Sequence, residues 1–276
     1  MQAEEQKRKK LRLLVLTDFS LYGDAAVSHA AAMSLVFQAE LMIVPLVNMN
    51  SLPAYGRFSN AIGVLEEHQL PVIYHEKRLH LKKELYNFME ENEVMMLIIA
   101  ASPKSESFFS YRAALRLIKR MRVPVLAVGK TLPGENAYRR VLLPLDYSIY
   151  AKEKSLWASY FNRFYKSEIH ILSKKYKDKY LQYKSHENLG YTEKLYENLS
   201  VDYKTHTMEG RTSNLDYDAI SFARNIGATL ILSMTTRTME AGDIFSGTKE
   251  SKTIRCVDEV PYLYINQRDD LYVLCT

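Results

Sequence analysis

The sequence predicts an α/β protein made of two tandem doubly wound repeats, each a five-stranded parallel sheet. Three observations predict it. Apolar runs of strand length alternate with segments whose apolar residues recur at helical spacing. Most of the runs are apolar at every position, as strands are when helices cover both faces of a parallel sheet. The order of these segments also occurs twice along the 276 residues.

The duplication is visible in three matches. Arg12-Leu-Leu-Val-Leu-Thr-Asp18-Phe-Ser20-Leu-Tyr22 pairs with Arg140-Val-Leu-Leu-Pro-Leu-Asp146-Tyr-Ser148-Ile-Tyr150, at a separation of 128. Asn92–Ser102 pairs with Asn225–Thr235 at 133, and Pro124–Val128 with Pro261–Ile265 at 137. A separation that grows in small steps is what loop insertions between matched elements produce. Pro and Gly punctuate the polar stretch Lys130–Asn136, which divides the chain into repeats 1–134 and 135–276, the second carrying a C-terminal tail.

The first repeat reads in order. Leu13–Thr17 is a strand. Ser20 then stands as a helix N-cap with Asp24 in the first turn, and Ala25, Ala26, His29, Ala30, Met33 and Phe37 follow at helical spacing. Leu41–Val47 is a strand, Arg57–Gln69 a helix closed by Pro71, and Val72–Lys77 an alternating strand. His80–Glu91 presents Leu81, Leu85, Phe88 and Met89 on one helical face. Val94–Ala101 is a buried strand, Tyr111–Arg122 a helix, and Val123–Val128 the closing strand. The second repeat has strands at Val141–Leu145, Glu168–Leu172, Val201–Thr207, Ala228–Met234 and Tyr262–Ile265. Its long second helix region, Lys174–Asn198, is expected to break at Gly190.

Composition narrows the function. Hydrophobic residues make up 47% and charged residues 25%, ordinary for a globular chain and unlike a disordered one. The longest clean apolar run, Val94–Ala101, is far short of the ~20 residues of a membrane span. Leu13–Leu16 is too short for a signal-peptide core, so a cytoplasmic location is expected, with no membrane partner. Two cysteines, Cys256 and Cys275, suit a reducing compartment. The net charge of +5 is too small to point to nucleic acid.

The strand ending in Thr17-Asp18-Phe19-Ser20, the run Leu97-Ile98-Ile99 and Pro124-Val125-Leu126-Ala127-Val128 together resemble the universal stress protein family. Pro144-Leu145-Asp146-Tyr147-Ser148, Leu230-Ile231-Leu232 and Pro261–Ile265 are their counterparts. The whole chain resembles a tandem, two-repeat member, over residues 10–129 and 138–266. The resemblance implies an adenine nucleotide alpha hydrolase-like fold and a role in stress response through ligand or partner binding. Some members bind ATP through Gly, two residues, Gly, nine residues, then Gly-Ser or Gly-Thr after the fourth strand. Glycines there let backbone N–H groups approach phosphate oxygens at a helix N-terminus.

This chain departs from that pattern. Between Ala100 and Arg112 there is no glycine, and Tyr111-Arg112 occupy the place of the final pair. The ATP loop of the first repeat is therefore read as lost. In the second repeat Gly247-Thr248 retain the final pair while the first two glycines are missing. The resemblance thus implies cofactor-binding roles for Asp18, Pro144, Asp146, Gly247 and Thr248, with ATP or another adenine nucleotide as the candidate ligand of the second repeat only. The Asp residues also suit a plainer role, accepting from the N–H groups of the following turn and starting the helix. A phospho-acceptor role fits less well, since neither Thr17 nor Leu145 supplies the extra acid that magnesium would need.

No catalytic constellation is present: no Gly-x-Ser-x-Gly elbow, no Walker loop, no Cys–His context. A non-enzymatic binding module is expected; the alternative is a nucleotide-binding protein with weak ATP hydrolase activity in the second repeat. The seven histidines are scattered and no metal site is expected. Arg112, Arg116 and Lys119 share a helix face, a pattern most often produced by a solvated surface. Fifteen of the 20 tyrosines follow residue 134 and suit core and interface filling.

Each closing strand begins after a proline, is apolar, and carries no charge that would block edge pairing. Val125–Val128 and Tyr262–Ile265 are therefore expected side by side and antiparallel about a pseudo-two-fold axis, as an intrachain pseudo-dimer. Asp269–Leu274 is expected to pack across that junction as a strand or clasp. A further homodimer or protein partner would use another face.

Overall fold

The computed structural model describes residues 11–47, 56–81, 83–103, 106–209, 215–235 and 249–266. The first repeat runs β1 (Arg12–Thr17), α1 (Leu21–Phe37), β2 (Glu40–Pro45), α2 (Ser59–Glu67), β3 (Val72–Tyr74), α3 (Lys83–Glu91), β4 (Val94–Ala100), α4 (Tyr111–Ile118) and β5 (Val125–Val128). The second runs β6 (Arg140–Pro144), α5 (Ala151–Tyr165), β7 (Glu168–Lys174), α6 (Lys179–Leu199), β8 (Tyr203–Met208), α7 (Leu215–Ile226), β9 (Leu230–Met234), α8 (Lys249–Thr253) and β10 (Tyr262–Ile265). The expected α/β class and doubly wound order are both present.

All ten strands form one sheet in the order β3-β2-β1-β4-β5-β10-β9-β6-β7-β8. Every neighbouring pair is parallel except β5 and β10, which run antiparallel. Alternation along the strands divides the core in two. Leu13, Val15, Ile98, Leu126, Val141, Leu232 and Leu263 face a layer with α1, α2, α5 and α6. Leu14, Leu16, Leu97, Val125, Leu142, Ile231 and Tyr262 face a layer with α3, α4 and α7. Both layers run across the junction of the repeats, so the two repeats share their cores.

The pairing of β5 with β10 is self-reciprocal. Leu126 faces Leu263, Val125 faces Tyr264 and Ala127 faces Tyr262, so a two-fold axis passes through the Leu126–Leu263 pair and relates residues 137 apart. Tertiary contacts repeat with the fold. Arg12 Nε donates to Glu40 at 3.0 Å and its Nη1 to the Asn92 carbonyl at 3.0 Å. Arg140 reaches Glu168 at 3.3 Å and the Ile226 carbonyl in the same way. Left-handed residues recur at equivalent places: Gln38 and Lys166 (φ 51° and 54°), Gln69 and Ser200 (56° and 53°), Glu93 and Gly227 (50° and 64°). Gln38, Lys166 and Ser200 close helices, where the C-terminal turn demands that conformation.

Three expectations change. The match of β4 to β9 shifts by one residue. Leu13 faces Met96, and its counterpart Val141 faces Leu230, so Met96 corresponds to Leu230 and the separation is 134 rather than 133. Helix α6 runs unbroken through Gly190, whose Cα faces open space. A solvent-facing glycine costs only ~1 kcal/mol, and a buried seam holds the helix on both sides of it: Ser155 to Thr192 at 2.8 Å, Tyr196 Oη to the Ser155 carbonyl at 2.9 Å. Helix α4 stops at Ile118 instead of Arg122, because the Ile118 and Met121 carbonyls accept from Asn266 Nδ2, at 2.6 Å each.

Candidate functional site

In an open doubly wound sheet, ligands enter at the carboxyl ends of the strands where the strand order reverses. That point lies between β1 and β4 in the first repeat and between β6 and β9 in the second.

In the first repeat β1 delivers Asp18 to this point. Its Oδ1 accepts from Ser20 N at 3.0 Å and Ser20 Oγ at 2.6 Å, and Ser20 Oγ in turn accepts from Gly23 N. A Cβ on Gly23 would lie 2.5 Å from Asp18 Oδ1 and 2.7 Å from Thr17 Oγ1, so only glycine lets α1 start this close to the strand end. Asp18 Oδ2 accepts from Phe108 N at 2.6 Å. That bond holds the β4–α4 loop down on the crevice, with Phe108 and Phe109 packed edge to face at 5.1 Å. Ser102 accepts Tyr111 N on its carbonyl and donates its own N–H to Phe109 O, each at 3.0 Å, so the loop folds back on itself. Ser110 caps α4 with its own hydroxyl. The remaining space between Asp18, Phe108 and Phe109 is about 10 Å³, room for a single water. Beside it, the buried Tyr22 hydroxyl donates to Glu106 at 3.0 Å, and burial followed by that carboxylate holds the phenol well above its usual range.

The second repeat is built differently. Asp146 Oδ1 accepts from Ser148 N at 3.1 Å, while Asn188 Nδ2 of α6 donates to the Asp146 and Ser148 carbonyls at 2.8 Å each, fixing the turn. Lys154 of α5 is 1% exposed, and its ammonium donates to the Pro144 carbonyl at 2.5 Å. Its counterpart in the first repeat is Ala26. Lys174, 3% exposed at the end of β7, lies 3.4 Å from Asp218. A cleft of about 430 Å³ opens there, lined by Ser173, Lys174, Lys175, Tyr176, Gln182 and Thr207 among others. Tyr147, next to Asp146, packs edge-on against Tyr176 at 5.2 Å. Pro144 ends β6 and Asp146 follows it, neither lining that cleft, while Gly247 and Thr248 lie outside the described residues.

Sequence reasoning missed the two buried lysines. Lys154 does carry a signal, since it falls on the apolar stripe of Ala151, Ala158 and Phe161. It also missed His170 and His206, which meet across β7 and β8 with Nδ1 and Nε2 3.0 Å apart and the rings nearly parallel. Glu168 lies 3.2 Å from His170 Nε2, and its carboxyl is pulled down to about 2 by Lys204 and then by His170. Burial lowers His206. Among the described residues no group of three or more His, Cys, Asp or Glu could hold a metal ion, and no helix is long and apolar enough to cross a membrane.

No family model matches the chain, and no curated protein matches its sequence. Solved structures do match its fold. A universal stress protein from Archaeoglobus fulgidus aligns with a TM-score of 0.69 and 14% identity, over 93% of this chain and 98% of that one. A functionally unknown protein from Pseudomonas aeruginosa aligns at 0.64 and 14%, over 95% of each chain. The cytoplasmic domain of a prokaryotic cation chloride cotransporter aligns at 0.56 and 12%, over 96% of this chain and all of the other. The fold is thus shared with a full-length universal stress protein structure and with a transporter's cytoplasmic domain.

Proposed function

We propose that this chain is a non-enzymatic tandem stress-response module in which the second repeat alone keeps a ligand crevice. The observation that carries this reading is the asymmetry of the carboxyl ends of the two half-sheets. The first holds about 10 Å³ beneath Phe108 and Phe109, while in the second repeat a cleft of about 430 Å³ opens over the ends of β7 and β8, one strand away from its switch point. In the first repeat both Asp18 oxygens already accept hydrogen bonds from the chain itself. Exchanging them for ligand contacts would mean lifting the Phe108 loop, so that repeat serves as a structural half.

In the cleft of the second repeat the Lys174 ammonium, 3.4 Å from Asp218, stands near the hydroxyls of Ser173 and Thr207, and Pro144 and Asp146 lie at the end of the neighbouring strand β6. A cation and hydroxyls favour a ligand with an anionic or polyhydroxy part, and an adenine nucleotide satisfies both. Gly247 and Thr248 would meet its phosphates.

A thermal-shift and calorimetric panel of adenine nucleotides, with and without magnesium, tests the reading. One site per chain is expected. Asp146→Ala and Gly247→Arg should weaken it at least ~10-fold, equivalent to about 1.4 kcal/mol, and Asp18→Ala should leave it unchanged. Two sites per chain, or loss of binding in Asp18→Ala alone, would refute the asymmetry. Steady ATP turnover abolished by Asp146→Ala would replace the non-enzymatic reading with the hydrolase one.

A further inference from the structure

At the amino ends of β4 and β5, opposite the sealed crevice, the first repeat holds a cleft of about 450 Å³. Its floor is apolar, made by the buried Met89, Val94 and Met121 with Val123. One wall runs from the end of α3 to the start of β4 and carries Glu90 and Glu93. The other runs from the end of α4 to the start of β5 and carries Arg120 and Arg122. All four charged residues are exposed. Tyr86 Oη donates to the Arg120 carbonyl and ties the two walls together. Burial raises the Tyr86 phenol, and the charges of Arg120 and Arg122 act against that rise, so both guanidiniums lie near the Tyr86 hydroxyl.

The second repeat staples the equivalent place. Ladder hydrogen bonds fix the correspondence: Leu97 N donates to the Pro124 carbonyl as Ile231 N does to that of Pro261. The separation is therefore 134 on one wall and 137 on the other, so Glu90 corresponds to Arg224 and Arg122 to Glu259. Arg224 Nε and Nη2 donate to the two Glu259 oxygens at 2.6 and 2.8 Å, a two-pronged bond that fastens α7 to the turn before β10. The first repeat holds the same two charges exchanged. Among the described residues no ion pair joins Glu90 or Glu93 to Arg120 or Arg122. An acidic wall and a basic wall thus face one another across an apolar floor.

We propose that this cleft binds an aromatic α-amino acid, with its carboxylate at Arg120 and Arg122, its ammonium at the wall of Glu90 and Glu93, and its ring on the methionines. The charges call for a ligand of both signs. A simple anion would satisfy the guanidiniums and meet the repulsion of the carboxylates opposite, and a simple cation the reverse. A zwitterion answers both walls through charge-assisted hydrogen bonds, which are the strong kind. The floor selects the side chain, because thioethers make favourable contacts with aromatic rings and adapt to their shape. An apolar cleft of this size with a few convergent polar groups suits a small molecule. Arg122 also stands on the ridge to a neighbouring cleft of about 400 Å³, which carries Glu153. That cleft reaches Asn266, the last described residue; Asp269–Leu274, expected to clasp the junction, lies outside the described residues. The amino-acid site lies at the other end of the strands from any nucleotide site and does not depend on one.

Calorimetric titration of the full chain with L-phenylalanine tests this, beside three truncated probes. N-acetylphenylalanine lacks the cation, phenylalaninamide lacks the anion, and glycine lacks the ring. One phenylalanine per chain is expected, with each truncated probe, and phenylalanine itself on Arg122→Gln or Glu90→Gln, at least ~10-fold weaker. Glu153→Gln should bind as the native chain does. Glu90→Arg/Arg122→Glu installs the charge arrangement of the second repeat. It should abolish binding while keeping the native thermal midpoint, which separates a stapled cleft from a damaged fold. No binding of phenylalanine by the native chain would overturn the proposal. So would equal affinity for N-acetylphenylalanine, or unchanged affinity in Arg122→Gln and the exchanged variant. Loss of binding in Glu153→Gln would also overturn it, since the ligand would then sit in the neighbouring cleft.

Discussion

His29 joins the repeats through one tautomer. Its Nε2 faces the Thr131 carbonyl at 2.9 Å and must carry the proton, so Nδ1 accepts from the Tyr138 hydroxyl at 2.6 Å. Burial lowers the pKa of His29 to about 4 from an ordinary 6.5. The unfolded chain therefore takes up a proton near pH 6.5 that the folded chain refuses until about 4. Stability from this residue is complete above pH 6.5 and falls as the pH drops to about 4, by roughly 3 kcal/mol in all. Denaturant melts of the native chain and His29→Gln between pH 7.5 and 4 should show this slope in the first and its loss in the second; parallel curves would remove His29 from the account. Residue roles were legible where they are local. Ser20 caps α1 as its place after Asp18 implies, and Asp18 bonds the turn it begins. The seal over the first crevice was legible only as bulk in place of glycine. That Phe108 N reaches Asp18, 90 residues away, depends on the sheet order and on no local pattern.

Among elements, the long periodic helices and the apolar strands emerge from the sequence with ends off by a few residues. Two elements do not. The one-residue slip of β4 against β9 has a physical cause. Strands buried on both faces are apolar at every position, so a shift of one leaves the pattern unchanged, whereas a half-exposed strand would move its polar side inward. Only the ladder, with Leu142 opposite Ile231, decides it. Gly190 misled for another reason. Gly punctuates chains because it tolerates any backbone conformation, yet here it lies mid-helix with nothing within 4 Å of an added Cβ. Gly190→Ala should therefore raise stability by about 0.5–1 kcal/mol, through higher helix propensity and a less flexible unfolded chain. Chemical denaturation measures it; a loss of stability would mean that the backbone at 190 is not helical.

At the scale of the whole molecule, the repeats complete one another. An apolar fifth strand left at a sheet edge invites association, and here each fifth strand covers the other. Polar contacts fasten both ends of that junction. Asn266 binds the end of α4, and Gly129 fits against Asp258 so tightly that an added Cβ would meet its backbone Cα at 2.5 Å. Lys119 of the first repeat also lies 3.5 Å from the fully buried Glu250 of the second. The central claim is that the ten strands act as one sheet through β5 and β10. Amide hydrogen exchange in the native chain tests it most directly. If the account holds, the amides of Val125–Val128 and Tyr262–Ile265 exchange as slowly as those of β1 and β6, and only through global unfolding. Fast exchange at these two strands, with β1 and β6 still protected, would show two separate sheets and contradict it.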